Sequence, residues 1–206
     1  MRNRVLVFAG VLALASIVVA QRAAQPTVAT GSTAPNFSLK NSNGATVSLA
    51  DFKGKYVVLE WTNNKCPFVV KHYATGNMQN LQGWVTGQGA VWLTICSSAE
   101  GKEGYVTAAE ANDLMKKDGY KASHYLLDAA GTVGKAYGAQ RTPHMFIIDP
   151  SGKLIYQGAL DDNPSPDPET AKTAKNYVRQ ALTEAMAGKP VSEPTTRAYG
   201  CSVKYP

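Results

Sequence analysis

Two short runs constrain this chain more than any other feature: Tyr56-Val57-Val58-Leu59-Glu60-Trp61 and Ala90-Val91-Trp92-Leu93-Thr94-Ile95. Both are apolar almost throughout, where a half-exposed strand would alternate with polar residues. That is the pattern of strands covered on both faces. The remaining elements must supply the covering layers. Asn36–Leu39 and Ala45–Leu49 flank Asn43-Gly44, a strong hairpin turn signal. Met145–Ile148 and Leu154–Gln157 flank Asp149-Pro150-Ser151-Gly152 as a second hairpin, and His124–Leu127 is a short strand.

Helices are expected from Pro67 to about Gln82, over Ala108–Lys117, and near Val133–Tyr137. A long C-terminal helix is expected with Asp167 as cap and Pro168 in its first turn. Ala174, Tyr177, Val178, Ala181, Leu182, Ala185 and Met186 give its apolar stripe, and Gly188 with Pro190 ends it. This order predicts an α/β fold, a central mixed sheet flanked by helices on both faces, with an N-terminal β-hairpin. At 206 residues, 44% hydrophobic and 17% charged, the chain suits one globular domain. The proline-rich run Asp161–Pro168 reads as a polar surface loop.

The first residues read as an address rather than as fold. Met1–Arg4 is positively charged, residues 5–20 are uncharged and apolar, and Val18-Val19-Ala20 precedes Gln21 as a cleavage site would. The apolar stretch is sixteen residues long, short of the roughly 20 that a spanning helix needs. The expected layout is a signal peptide at 1–20, a linker at 21–30, a domain at 31–190 and a tail at 191–206 carrying Cys201. A periplasmic or secreted protein follows, with no stable membrane domain after signal cleavage, in a compartment where disulfides persist. The net charge of +6 falls to +4 without Arg2 and Arg4, 19 basic residues against 15 acidic ones. The excess forms no basic run, so nucleic-acid binding is not expected.

Cys66 is the first candidate for chemistry. It follows the first buried run and Thr62-Asn63-Asn64-Lys65, and it precedes Pro67, a good first helical residue. At a helix N-terminus the free N–H groups and dipole stabilise a thiolate, and Lys65 adds positive charge. Cys201, after a glycine and among polar residues, reads as an accessible tail thiol that either resolves an oxidised Cys66 or locks it in a structural bridge. Cys96 ends an apolar run and reads as a buried small hydrophobe. His72, His124 and His144 form no metal-ligand spacing with one another or with the cysteines.

Several motifs in order carry a family resemblance. Gly31-Ser32-Thr33-Ala34-Pro35-Asn36-Phe37-Ser38-Leu39 resembles the G-x-x-A-P-x-F-x-L opening of peroxiredoxins and related redoxins. A strand into Cys66, then Thr142-Pro143, then Phe146-Ile147-Ile148-Asp149 follow as in the thioredoxin-like redoxin superfamily. The resemblance implies that Thr142-Pro143 is a cis-proline turn facing Cys66. It also implies that Glu60, six residues before Cys66, matches a buried acid that is either a proton relay or a satisfied strand-end carboxylate. Val69 then stands where a second active-site cysteine would be.

Peroxiredoxins place threonine three before their cysteine, whereas Thr62 lies four before Cys66; their arginine position is taken by Pro143, with Arg141 two residues away. These departures argue against efficient peroxide activation. The resemblance therefore implies a thiol-dependent oxidoreductase. Catalytic residues are expected to be Cys66, Cys201, Pro143 and Thr142, supported by Lys65, Asn63, Glu60 and Arg141. The substrate is a disulfide or a peroxide, the partner a thiol electron donor (protein or small molecule), and no dissociable cofactor or metal is expected. The competing expectation is a non-enzymatic module in which Cys66 and Cys201 form a permanent bridge.

Overall fold

The computed structural model describes residues 28–206, so the expected signal peptide and most of the linker lie outside the described residues. The elements in chain order are β1 (Ser38–Asn41), β2 (Thr46–Ser48), β3 (Val57–Trp61), α1 (Pro67–Ala74), α2 (Asn77–Gly87), β4 (Val91–Cys96) and α3 (Ala108–Lys117). β5 (His124–Leu127), α4 (Thr132–Tyr137), β6 (Arg141–Thr142), β7 (His144–Ile148), β8 (Leu154–Gly158), α5 (Tyr177–Met186) and β9 (Cys201–Ser202) complete it. Seven strands form one sheet in the order β2-β1-β5-β4-β3-β7-β8, with β3, β4 and β5 parallel and the outer pairings antiparallel. The expected α/β, thioredoxin-like architecture is the observed one.

The period of two along each central strand explains the runs that opened the sequence. Val57, Leu59 and Trp61 point into one core with Val91, Leu93, Ile95, Phe146 and Ile148, closed by Val133 and Tyr137 of α4. Val58, Trp92, Met145 and Ile147 point into a second core, closed by Val69 and Tyr73 of α1, Met78, Leu81 and Val85 of α2, and Val178, Ala181 and Leu182 of α5. Both faces are covered, so neither face is left free to be polar.

Three expectations need correcting. The helix expected over 67–82 breaks at Gly76, which adopts φ 74° and starts α2 in a new direction. The C-terminal helix does not begin at Asp167. That residue caps only a 3₁₀ turn over Pro168–Lys172, and Asn176 starts α5 by accepting from the Arg179 N–H at 2.8 Å. The loop expected at the surface begins with Asp161, which is buried. At the end of the expected linker, Val28 also packs into the first core.

The tail also differs from an accessible arm. Thr196 donates its N–H to the Gln157 carbonyl at 3.1 Å, and its hydroxyl accepts from the Ala159 N–H at 2.9 Å. Further on, β9 pairs antiparallel with β6, Val203 N–H reaches the Gln140 carbonyl at 3.1 Å, and Tyr205 O–H reaches the Ala139 carbonyl at 2.6 Å. The chain's last dozen residues thus form a strap across the C-terminal ends of the parallel strands. Gly200 makes this close approach possible. Its φ is 109°, and a Cβ there would lie 2.1 Å from the Thr142 carbonyl oxygen. Gly200→Ala should therefore separate β9 from β6 with little effect on either core. The check is faster proteolytic trimming of the tail with near-native global stability in urea; an unchanged trimming rate would contradict the account.

Candidate functional site

The loop after β3 is shaped by its own polar residues. Thr62 N–H extends the β3 ladder by one bond to the Ile95 carbonyl, at 2.9 Å. Asn63, buried, then turns the chain: its Oδ1 accepts from the Lys65 N–H at 2.8 Å, and its carbonyl accepts from the Cys66 N–H at 3.0 Å. Cys66 is the N-cap of α1, with Pro67 in the first turn as expected. Lys65 is exposed and belongs to no ion pair among the described residues.

Cys66 is fully buried, contrary to the expectation of a thiol at an open polar junction. Two things cover it. The Thr142-Pro143 peptide is cis, and the Cys66 S–H donates to the Thr142 carbonyl at 3.0 Å. Only the protonated sulfur can make that bond. Across the β6–β9 pairing, Thr142 stands opposite Cys201 and Arg141 opposite Ser202. The Thr142 hydroxyl donates to the Cys201 carbonyl at 3.4 Å.

Cys201 is half-buried and its thiol lies against that of Cys66. Burial first, then the hydrogen bond with the neighbouring Cys66 thiol, push the Cys201 thiol up to about 12. The four residues Cys66, Thr142, Pro143 and Cys201 therefore meet at one point, while Arg141 projects outward, exposed. All three cysteines carry free thiols in this structure.

Glu60 is also fully buried, but its oxygens are occupied. It accepts from Tyr73 O–H (3.0 and 3.1 Å), Trp92 Nε1–H (2.9 Å), Thr94 O–H (3.0 Å) and the Gln82 amide (3.3 Å). Burial raises its pKa and these donors oppose the rise. No hydrogen bond joins it to Cys66, so its geometry is that of a satisfied core carboxylate. Cys96 is buried, donates to the Gly104 carbonyl at 3.3 Å, and is pushed up by burial, as a structural cysteine would be. His144 follows the cis proline, with its Nδ1 accepting from the Gln140 N–H at 3.3 Å; burial depresses it to about 4. Among the described residues no cluster of three or more His, Cys, Asp or Glu side chains is arranged to hold a metal ion.

Reading the sequence missed the residues that seat the strap: Thr196, Tyr199, Tyr205, and the buried Lys71 and Asp161 beneath them. The nearest signal was the two tyrosines, Tyr199 and Tyr205, that bracket Cys201 in the tail.

Residues 29–175 match the Redoxin family. Among relatives, the thiol-disulfide oxidoreductase ResA of Bacillus subtilis (strain 168) is 30% identical over 133 residues, 65% of this chain and 69% of that one. A hypothetical protein of Sinorhizobium meliloti 1021 shares the fold at TM-score 0.77 and 29% identity, covering 88% of this chain and 97% of its own. An uncharacterized conserved protein of Geobacillus kaustophilus does so at TM-score 0.76 and 29% identity, covering 87% and 94%. The similarity to the last two extends well beyond the span shared with ResA.

Two outcomes follow from these buried groups. Glu60→Gln should lower stability by about 1–3 kcal/mol, because an amide N–H₂ is forced against a cluster of donors. The alkylation rate of Cys66 in the folded protein should stay unchanged; a large change would reinstate Glu60 as a relay. For His144 the folded value of about 4 lies below the ordinary 6.5. The unfolded chain therefore takes up the proton first, and stability is lost as pH falls between about 6.5 and about 4. Urea midpoints at pH 7 and 5 should drop more in the native sequence than in His144→Asn, whose amide oxygen replaces Nδ1 as acceptor. Equal drops would refute the assignment.

Proposed function

The chain belongs to the Redoxin family, and from that premise we propose that it is an extracytoplasmic thiol-disulfide oxidoreductase whose working pair is Cys66 and Cys201. The observation that carries this reading is the register Thr142↔Cys201 beside the Cys66–Thr142 contact, which brings the two thiols together across the cis-proline turn. In the reducing direction, Cys66 thiolate attacks one sulfur of a substrate disulfide. The S–S bond breaks, the other sulfur leaves as a thiolate and takes a proton, and a mixed disulfide remains on Cys66. Cys201 then gives up its proton and attacks the Cys66 sulfur; the Cys66–substrate S–S bond breaks and the second substrate sulfur leaves as a thiolate that takes up a proton. Two electrons have passed to the substrate, and the protein holds a Cys66–Cys201 disulfide. A thiol donor reverses this by the same exchange.

Because the dithiol is split between α1 and the strap, the strap must lift at residues 199–202 before substrate reaches Cys66. Arg141 is exposed and makes no hydrogen bond to either thiol, so nothing among the described residues of the site is arranged to hold a peroxide, and a disulfide substrate fits it better. The leader pattern of residues 1–20 supports an extracytoplasmic setting; among the described residues no helix is long and apolar enough to cross a membrane.

The test is turnover of a model protein disulfide with a dithiol donor. Cys66→Ser should reduce it by more than about a hundredfold. Cys201→Ser should still form the mixed disulfide in a single turnover and accumulate it, detectable by intact mass. Full activity in Cys66→Ser would overturn the assignment. A Cys66–Cys201 bridge that resists mild reductant, without turnover, would favour the non-enzymatic module.

A further inference from the structure

The strap is bonded to the sheet and its loops at Thr196, Val203 and Tyr205, but it meets α1, the helix that carries Cys66, mainly through Tyr199. The Tyr199 ring stands edge-on to Phe68 at 5.7 Å and lies 5.3 Å from the Lys71 ammonium. Its hydroxyl donates to Asp161 Oδ1. Asp161 is the hub. Its Oδ1 also accepts from the Asn163 N–H at 3.1 Å, and its Oδ2 faces Lys71 Nζ and His72 Nε2, each at 3.7 Å. Lys71 donates to the Asn163 carbonyl at 2.8 Å, and the Asn77 amide lies 2.8 Å from His72 Nδ1.

Lys71, His72 and Asp161 are all essentially fully buried. Taking an ammonium and a carboxylate out of water is unfavourable, and apolar side chains of similar volume pack at least as stably. The cluster therefore makes poor sense as a packing device. It makes sense as a geometric one, because it fixes one point on the strap, two residues before Cys201, relative to a point five residues after Cys66.

We propose that Asp161, Tyr199 and Lys71 form an anchor that positions Cys201 against Cys66, and that loosening it lets the strap lift. The inference rests on the reading of Cys66 and Cys201 as the working pair. The three are positioning residues and touch no reacting atom. The quantity they control is the effective concentration of one thiol at the other, which depends on how narrowly residues 199–201 are held.

Equilibration in glutathione redox buffers, followed by acid quench and mass analysis, measures that concentration directly. Tyr199→Phe keeps the ring on Phe68 and Lys71 and removes only the donor to Asp161. It should lower the effective concentration about tenfold, raising the pair's potential by about 30 mV. Asp161→Asn should act in the same direction. In the reduced proteins, Cys66 alkylation should rise by about tenfold in both variants. Cys96, buried at the end of β4 in a separate core cluster that none of the three anchor residues joins, reports global opening and should be alkylated as slowly as before in Tyr199→Phe. A purely structural role would instead speed both cysteines together, and that outcome would overturn the anchor. So would an unchanged glutathione equilibrium in both variants while the native protein still forms its Cys66–Cys201 disulfide. If the native protein forms no such disulfide at all, the working-pair reading itself fails, and the anchor with it.

Discussion

The pairing of β9 with β6 is the contact on which the site depends. It is only two residues long, yet it sets Cys201 opposite Thr142, whose carbonyl in turn holds the Cys66 S–H. The thioredoxin-like sheet would exist without it. What the pairing adds is a second thiol for a helix-terminal cysteine that has Val69 in place of a neighbouring one. A dithiol built from residues 66 and 201 differs physically from one within a single helical turn. Its closure belongs to tertiary structure, so under the proposed function whatever moves the strap also changes the redox equilibrium of the pair.

Two buried acids show how burial alone fails to identify a functional group. Glu60 and Asp161 are both desolvated and both have raised pKa values. Glu60 is met by four donors on the sheet and on α1 and α2, all inside one packed core. It ties together elements that never separate in the folded protein. Asp161 accepts a hydrogen bond from Tyr199 of the strap and faces Lys71 and His72 of α1 at 3.7 Å, elements that part in the proposed mechanism. The difference lies in which elements the surrounding groups belong to.

Much of the fold was legible because the central strands are buried on both faces, and such strands write their burial into every residue. The N-cap position of Cys66 was legible for a similar reason, since it rests on a few adjacent residues, whereas the cis turn at Thr142-Pro143 was expected from the family resemblance. The break at Gly76 was hidden because apolar residues continue past it with helical spacing. The start of α5 was misread because Asp167-Pro168 is a valid helix start that the chain uses for one 3₁₀ turn only. Above all, the seating of the strap was illegible. It depends on pairs such as Tyr199 with Asp161 and Tyr205 with Ala139, separated by 38 and 66 residues, and no local pattern encodes them. The same distance hid the burial of Cys66, which the polar run Thr62–Lys65 precedes in sequence.

That burial carries a kinetic consequence. Residues 199–202 are held over Cys66 by the Tyr199–Asp161 bond, the β6–β9 pairing and the Thr142 hydroxyl's bond to the Cys201 carbonyl. A handful of such bonds, each worth about 1 kcal/mol net, holds the open form to roughly one molecule in a thousand. The bonds at Thr196 and Tyr205 lie outside the segment and need not break, so opening is local and leaves both cores intact. Exchange at Cys66 would then be slowed by about the same factor relative to an exposed thiol of equal nucleophilicity. In the proposed mechanism the strap that supplies the second thiol is also the barrier in front of the first, and the two roles cannot be tuned separately. Tighter seating makes the disulfide more stable and the reduced protein slower, while looser seating does the reverse. Buried charges suit such a compromise better than apolar packing would, because hydrogen bonds to a carboxylate fix direction as well as distance.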